Sequence, residues 1–392
     1  MNAMHNVGKL YAVRICQSLI PAYVIERLFW ESRGMTIQEV VYTEILYAVT
    51  ILLSEVPTGI LADRFGRKKL IVLAAALGCL EFLILIYAQT FWHFAAVVVL
   101  AGVATAASSG AENALLYDSL RHNGREALFE RTFGRLNAFD IGAAVLAALS
   151  GGWLAGRYDL ELNYWLSLLA AAAGLGLALT LAEPPASAGE GDEPIPIRRY
   201  VTESIRFFRS RSDVRLIVAV AMLTGAATDF VDEFWQLYLD RFDVPLAWFG
   251  PFSAALLALR MPGSLLADAM RRRFRYRAPL AATLAVIAAG LAAAAFAPGL
   301  AGAAALLAVC LAAGIVDPLA AGYLHHRIEG PMRATIDSFR SLADNGVTMA
   351  IGLGFGWSAA RWDVFGGYGF LAVACAAFLL YYVPAARRLK ER

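Results

Sequence analysis

The chain has 392 residues, 59% of them hydrophobic and 17% charged, with a formal net charge of +2. Water-soluble domains run nearer half apolar and a quarter charged, so these totals exclude an ordinary soluble globule and point to a bilayer. Cys16, Cys79, Cys310 and Cys375 stand far apart, without CxxC or Cys/His ligand spacing, which speaks against a disulfide framework or a zinc site.

Residues 1–8 are polar, and the apolar segment after them is too long and too interrupted for a cleaved signal. A membrane-crossing helix needs about 20 mostly apolar residues. Taken in chain order, twelve segments qualify: 10–30, 38–61, 70–89, 92–117, 133–156, 162–182, 214–239, 247–267, 278–297, 300–323, 336–360 and 367–384. Such lengths exclude a membrane β-barrel, whose strands alternate over about ten residues. The expected fold is an all-α membrane protein with twelve transmembrane helices in two pseudo-symmetric six-helix bundles. Residues 1–183 form the first bundle, 184–213 a linker and 214–392 the second bundle.

Basic residues fill every second loop: Arg64, Arg67, Lys68 and Lys69, then Arg121 to Arg135, Arg198 to Arg215, Arg271 to Arg277, Arg327 and Arg333, and the tail from Arg387. The intervening loops hold only Arg33, Arg157, Arg241 and Arg361. Lys/Arg bias sets topology, so both termini are expected in the cytoplasm of a bacterium, with the chain multi-pass in the inner membrane. Within the linker, Glu183-Pro-Pro to Pro196 reads as flexible. From Ile197 to Arg211, apolar residues among arginines predict an amphipathic surface helix.

The halves repeat. Pro57, Leu61, Ala62 and Asp63 recur as Pro262, Leu266, Ala267 and Asp268, and Phe29-Trp30 recurs as Phe234-Trp235. Trp153, Arg157 and Asp159 recur as Trp357, Arg361 and Asp363. Parallel repeats around a central substrate site are a transporter architecture.

Between the second and third segments runs Gly59-Ile-Leu-Ala-Asp63-Arg64-Phe-Gly66-Arg67-Lys68-Lys69. All six specified positions match G-x-x-x-D-[RK]-x-G-x-[RK]-[RK], the loop motif of the major facilitator superfamily. With twelve helices and a six-plus-six repeat, the whole chain resembles that family. The stretch Pro331 to Ser338 is similar to the loop the family carries between helices 10 and 11. The run from Glu112 to Leu120 is similar to one in bacterial members of unassigned substrate. The resemblance implies that Asp63 bonds a neighbouring helix of the other half and gates the cytoplasmic side. The bland alternative is topology control by the basic residues alone. In the second half Asp268 is kept, but Ala269-Met270-Arg271 replaces the glycine turn. Two features of the family's drug/proton antiporters are missing: a proline in the helix 5 run Gly142 to Gly152, and an arginine in helix 4.

An ionisable group at bilayer depth usually faces the bundle interior. The acids at that depth are Glu26, Glu44, Glu55, Glu81, Glu112, Asp140, Asp229, Asp232, Glu233, Asp317 and Asp344, against the bases Arg14, Arg27 and Arg260. Carboxylates so lacking basic partners suit proton binding. Two layers are expected. The cytoplasm-side layer holds Arg14, Glu55, Glu112 and Asp140, with the counterparts Arg260, Asp317 and Asp344. The middle-to-outer layer holds Glu26, Arg27, Glu44, Asp229, Asp232 and Glu233. The last three, spaced i, i+3, i+4, share one helix face. Helices 1, 4, 7 and 10 line the cavity in the family, so the resemblance makes these acids a site for a cationic or zwitterionic solute, with Arg27 for an anionic part.

Structural readings stand beside these. Arg14–Glu112 and Arg260–Asp317 pair as salt bridges, structural or functional. Trp30, Trp153, Trp235 and Trp357 anchor helix ends at the interface, and Tyr23 and Tyr323 pack, the alternative being that they line the cavity. No phosphate-binding Gly-x-x-x-x-Gly-Lys loop or His/Glu metal set occurs, and neither an enzyme, a cofactor nor a nucleic-acid partner is expected. The expected partners are a small-molecule substrate, protons and membrane lipids, with the chain acting as a monomer. The leading reading is proton-coupled export of a small amphiphilic, cationic or zwitterionic organic solute by rocking of the halves. The rivals are uptake of a nutrient or metallophore, and a non-transporting receptor or lipid-handling protein.

Overall fold

A computed structural model describes residues 4–125, 128–183, 206–325 and 333–387, with the side chains of Met4, His5, Val56, Asp63, Glu130, Asp268, His325 and residues 333–339 outside the description. The expected surface helix is seen only at 206–210, where the backbone is helical; 197–205 lies outside the described residues.

The first segment is not the single helix that the sequence predicts. It runs as α1 (Met4–Ser18), a 3-10 stretch Pro21–Ile25 and α2 (Glu26–Ser32). The cause is Pro21, which forces Ile20 into an extended conformation (φ −115°, ψ 92°). Inside a bilayer each freed backbone donor needs a partner, and the buried Ser167 hydroxyl accepts a hydrogen bond from Ala22 N–H at 3.1 Å. There follow α3 (Ile37–Phe65), α4 (Arg67–Tyr87), α5 (Phe91–His122), α6 (Phe129–Ala155) and α7 (Leu160–Leu179). A capping box opens α3: Thr36 Oγ1 accepts from Glu39 N–H, and Glu39 accepts from Thr36 N–H at 2.9 Å. The second series is α8 (Ser212–Asp240), α9 (Phe249–Arg273), α10 (Arg277–Phe296), α11 (Leu300–His325) and α12 (Arg333–Ala386).

Ten stretches among the described residues are long and apolar enough to cross a membrane. One of them, Arg340–Ala386, has 47 residues. At 1.5 Å per residue it is about 70 Å long, more than twice a hydrocarbon core of ~30 Å. It breaks at Trp362–Asp363, where Asp363 has φ 54° and ψ −163°, and so makes two crossings. With these and the broken first segment, the fold is the expected twelve-helix, all-α membrane architecture.

The chain forms two compact units, Met1–Glu190 with Val244–Ala254, and Gly191–Asp243 with Ala255–Arg392. In the first, α6 meets the start of α9 so closely that a Cβ on Gly152 would lie 2.6 Å from Gly250 N. Gly151 and Gly152 thus serve close packing, whereas a Cβ on Gly142 would meet nothing within 4 Å.

The repeated Trp–Arg pair adopts the same arrangement in both units. Arg157 lies over Trp153 at 5.3 Å and Arg361 over Trp357 at 3.7 Å. Trp153 and Trp357 are exposed, as interfacial anchors would be, but Trp30 and Trp235 are buried. Trp30 meets Phe94 in a tilted ring contact at 4.7 Å and carries the Arg27 guanidinium at 4.6 Å. These two tryptophans are core, because the phenylalanine before each is also buried and draws the helix end inward. Tyr323 packs, as expected: it is buried and donates to Asp213 Oδ2 at 2.9 Å.

Candidate transport-pathway residues

In the first unit the motif loop is built around one glycine. Gly66 ends α3 and precedes α4 with φ 100°, a conformation glycine adopts without Cβ strain. A Cβ there would stand 3.0 Å from the Glu183 carboxylate. That carboxylate accepts from Arg67 N–H and Lys68 N–H, both at 2.8 Å, and so caps α4, where a helix leaves orphan donors and favours negative charge. Arg67 forms an ion pair with Asp118 and donates to Ala114 O at 2.9 Å, fastening α4 to α5. Arg64 lies over Phe65. Gly59 and Glu55 line a cavity of about 240 Å³ with Thr58, Arg67 and Gly110. Glu183 and Asp118 were not among the expected site residues. The signal for Glu183 was its place at the end of the sixth segment, one carboxylate facing a basic loop.

Deeper in the same unit, α1, α5 and α6 converge on one guanidinium. Arg14 reaches Glu112 at 3.2 Å and Asp140 at 2.5 Å, and Ser18 donates to Asp140 Oδ1 at 3.2 Å. The expected Arg14–Glu112 pair is therefore present, with Asp140 as a second acid on the same base. Arg27 is 4% exposed and pairs with Glu44 at 2.6 Å. It clasps α2 to α3 and is buried against Trp30.

Glu81, on α4, makes no ion pair among the described residues. It faces a cavity of about 200 Å³ with Gln17, Tyr23, Tyr47, Thr105 and Ser108, beside the break in the first segment. The Tyr47 and Thr105 hydroxyls are hydrogen-bonded at 3.0 Å. Glu26 lies within electrostatic reach of Glu81.

In the second unit the expected pairing is corrected. Arg260 forms its ion pair with Asp232 and not with Asp317. Asp232 and Arg260 were expected in different layers, but an ion pair puts them at one depth. The error came from assigning depth by distance along each helix. Asp317 lies within electrostatic reach of Arg340 and Arg260. Asp344 pairs with Arg340 at 3.6 Å, one helical turn away. Arg340 is a base that the count of intramembrane charges omitted. Asp229 makes no ion pair among the described residues and lies within electrostatic reach of Asp232, Arg260, Glu233 and Asp317.

Two repeated helical units with ionisable clusters inside their membrane-crossing segments define a membrane-transporter scaffold. Residues 13–352 match the Major Facilitator Superfamily, and the chain belongs to that family. It is a membrane transporter, not an enzyme. It is 30% identical over 156 residues to the multidrug resistance protein MdtG of Salmonella paratyphi C (strain RKS4594), a match covering 38% of this chain and 36% of that protein. Among solved structures, a point variant of the nucleoside transporter NupG superposes with a TM-score of 0.78 at 14% identity, over 98% of this chain and 100% of the other. A bacterial homologue of the human lysosomal transporter Spinster, inward-facing and unoccupied, gives 0.70 at 16% identity, over 98% and 96%. A D-xylose–proton symporter gives 0.69 at 12% identity, over 98% of each chain. At these identities the likeness is one of fold.

Proposed function

We propose that this protein is a proton-coupled exporter of a small amphiphilic, cationic or zwitterionic organic solute, working by alternating access. One observation carries the reading: Arg14 serves two carboxylates, Glu112 and Asp140. One guanidinium neutralises one carboxylate, so the cluster holds a negative charge in excess. An unpaired charge at bilayer depth costs about 2.5–3.5 kcal/mol on insertion scales. A proton removes that charge, and so does a cationic solute. Both cannot do so at once, so one exchanges for the other, which is antiport. Asp229 and Glu81, which also lack a basic ion-pair partner among the described residues, offer further places for a cation. The partial match to a multidrug resistance protein supports the outward direction.

In this reading the loop from Gly59 to Lys69 forms the cytoplasmic gate. Glu183 and Asp118 hold its basic residues on α4 while Asp63 does the closing. Both termini are cytoplasmic, the membrane is the bacterial inner membrane, and the monomer is the working unit.

The test is proton movement induced by a panel of fluorescent organic cations in proteoliposomes of known orientation. Glu112→Gln, Asp140→Asn and Asp229→Asn are compared singly with the native chain. At least one is expected to keep exchange of the cation but lose uphill transport driven by a pH gradient. If all three still accumulate the cation against its gradient under a pH difference alone, the proposal is wrong.

A further inference from the structure

The largest cavity described lies away from these clusters, inside the second unit. It has a volume of about 540 Å³, within the usual range of ligand sites, ~300–1,000 Å³. Its walls come from the start of α8 (Ser212, Arg215, Leu216, Ala219) and the end of α12 (Phe378, Tyr381, Pro384, Ala385). Both helix ends lie on the side carrying the arginine-rich loops. The lining is sorted by chemistry. Arg215 and Ser212 supply polar donors at one end, and Leu216, Ala219 and Phe378 continue as an apolar wall along helices that cross the membrane.

The first unit closes the equivalent place. Asn6 donates to Ala182 O at 2.7 Å and accepts from Ala182 N–H at 3.0 Å, and Lys9 donates to Thr180 O at 2.5 Å. Together they staple the start of the first segment to the end of the sixth. Under the offset of 205 that relates Phe29-Trp30 to Phe234-Trp235, Asn6 corresponds to Arg211 and Lys9 to Val214. Among the described residues the second unit shows no such staple; it has instead a cavity lined by the exposed Arg215, and the chain leading to it carries the exposed Arg206, Arg209 and Arg211. Arg215 Nη1 donates to Arg209 O at 3.0 Å, which holds its guanidinium toward this basic stretch. The nearby acid, Asp213, is engaged by the Tyr323 hydroxyl.

We infer that this cavity binds one anionic phospholipid, its phosphate on Arg215 and Ser212 and the upper part of an acyl chain along Leu216, Ala219 and Phe378. A polar, cationic mouth joined to an apolar wall at a membrane surface fits a molecule with both parts. A net positive mouth selects an anionic headgroup over a zwitterionic one. The occupant is separate from the transported solute, so the inference stands or falls independently of the proposed function.

The test is native mass spectrometry of the full chain, delipidated and then titrated with phosphatidylglycerol or phosphatidylcholine of the same acyl composition. The native chain is expected to retain one phosphatidylglycerol in preference to phosphatidylcholine. Arg215→Gln should weaken that preference about fivefold, the usual effect of one basic residue near an anionic surface, while Arg215→Lys should keep most of it. Ala219→Trp, which fills the apolar wall and leaves the charges, should expel the lipid. Size-exclusion profiles and thermal melts confirm that each variant is folded. Equal retention of the two lipids by the native chain overturns the inference, as does an Arg215→Gln variant with unchanged preference. Displacement of the lipid by millimolar glycerol phosphate would show a soluble phosphate site and would overturn it too.

Discussion

The Arg14 cluster makes a prediction whose sign distinguishes it from an ordinary salt bridge. Removing the base by Arg14→Gln leaves Glu112 and Asp140 facing each other without a cation, and their side chains are only 8% and 16% exposed. Breaking a buried pair in this way costs about 3–5 kcal/mol. Arg14 is itself 33% exposed, so solvent screening puts the expected loss at the low end, about 3 kcal/mol. Removing one acid by Glu112→Gln does the opposite of breaking the site. It leaves Arg14 and Asp140 as a neutral pair at 2.5 Å, and the stability change should stay within about 1 kcal/mol of zero. Combining the two substitutions should be less harmful than Arg14→Gln alone, because one uncompensated carboxylate remains in place of two. The double-mutant cycle therefore shows a coupling of ~1–2 kcal/mol in the rescuing direction. The assay is thermal unfolding in detergent followed by a thiol-reactive dye, since Cys310 and Cys375 are buried and become reactive only on opening. At ~2 °C per kcal/mol, Arg14→Gln should lower the melting temperature by about 6 °C. If Glu112→Gln destabilises as much as Arg14→Gln, the two acids do not share one base, and the excess charge behind the transport reading is absent.

Two further predictions concern gate and topology. Asp63→Asn should express and bind solute at near-native levels while transport falls steeply; near-native transport would reduce the motif to a topology signal. A cysteine introduced as Asp240→Cys should react with a charged, membrane-impermeant thiol reagent added outside intact cells. One introduced as Ser210→Cys should react only after permeabilisation, and the reverse pattern would overturn the assignment of both termini to the cytoplasm.

Much of this architecture was legible in the sequence because its governing physics is one-dimensional. Apolar length and alternating arginine loops are properties of the linear chain, and they placed eleven segments close to their helices in the structure. The first was misread because Pro21 sits among apolar residues. Hydropathy does not register a lost backbone hydrogen bond, and the rescue by Ser167 comes from a helix some 145 positions away. Pairing was legible only where depth and neighbouring helix were both fixed. Arg14 with Glu112 met that condition. Arg260 did not, since Asp232 and Asp317 lie on different helices: its backbone packs against α11, where a Cβ on Gly314 would stand 2.5 Å from Arg260 O, yet its guanidinium reaches Asp232 on α8. Glu183 was hidden for another reason: its effect depends on the positive φ at Gly66, which brings two N–H groups to face its carboxylate.

The repeat also separates what the scaffold requires from what the chemistry requires. At the offset of 205, Arg27 corresponds to Asp232 and Glu55 to Arg260. In the first unit the first and second segments are clasped by Arg27 on Glu44, and in the second unit by Asp232 on Arg260. Each unit has a clasp between these segments with the cation on opposite helices, but the partner on the second segment moves, since Glu44 corresponds to Phe249 and Arg260 to Glu55. Coulombic attraction is indifferent to which helix carries the cation, so the reversal leaves the helix pairing intact. It alters the charges left over. The first unit keeps Glu55 and Glu81 as acids with no ion pair among its described residues, and the second keeps Asp229 and Asp317 in that condition. Each unit therefore satisfies its structural ion pairs and still presents carboxylates within its membrane-crossing helices. A packing requirement alone would remove such groups, because each costs insertion energy and returns no pairing. In the proposed function these surplus carboxylates, left in both halves after the clasps have taken their bases, are the groups that serve cargo and coupling ion.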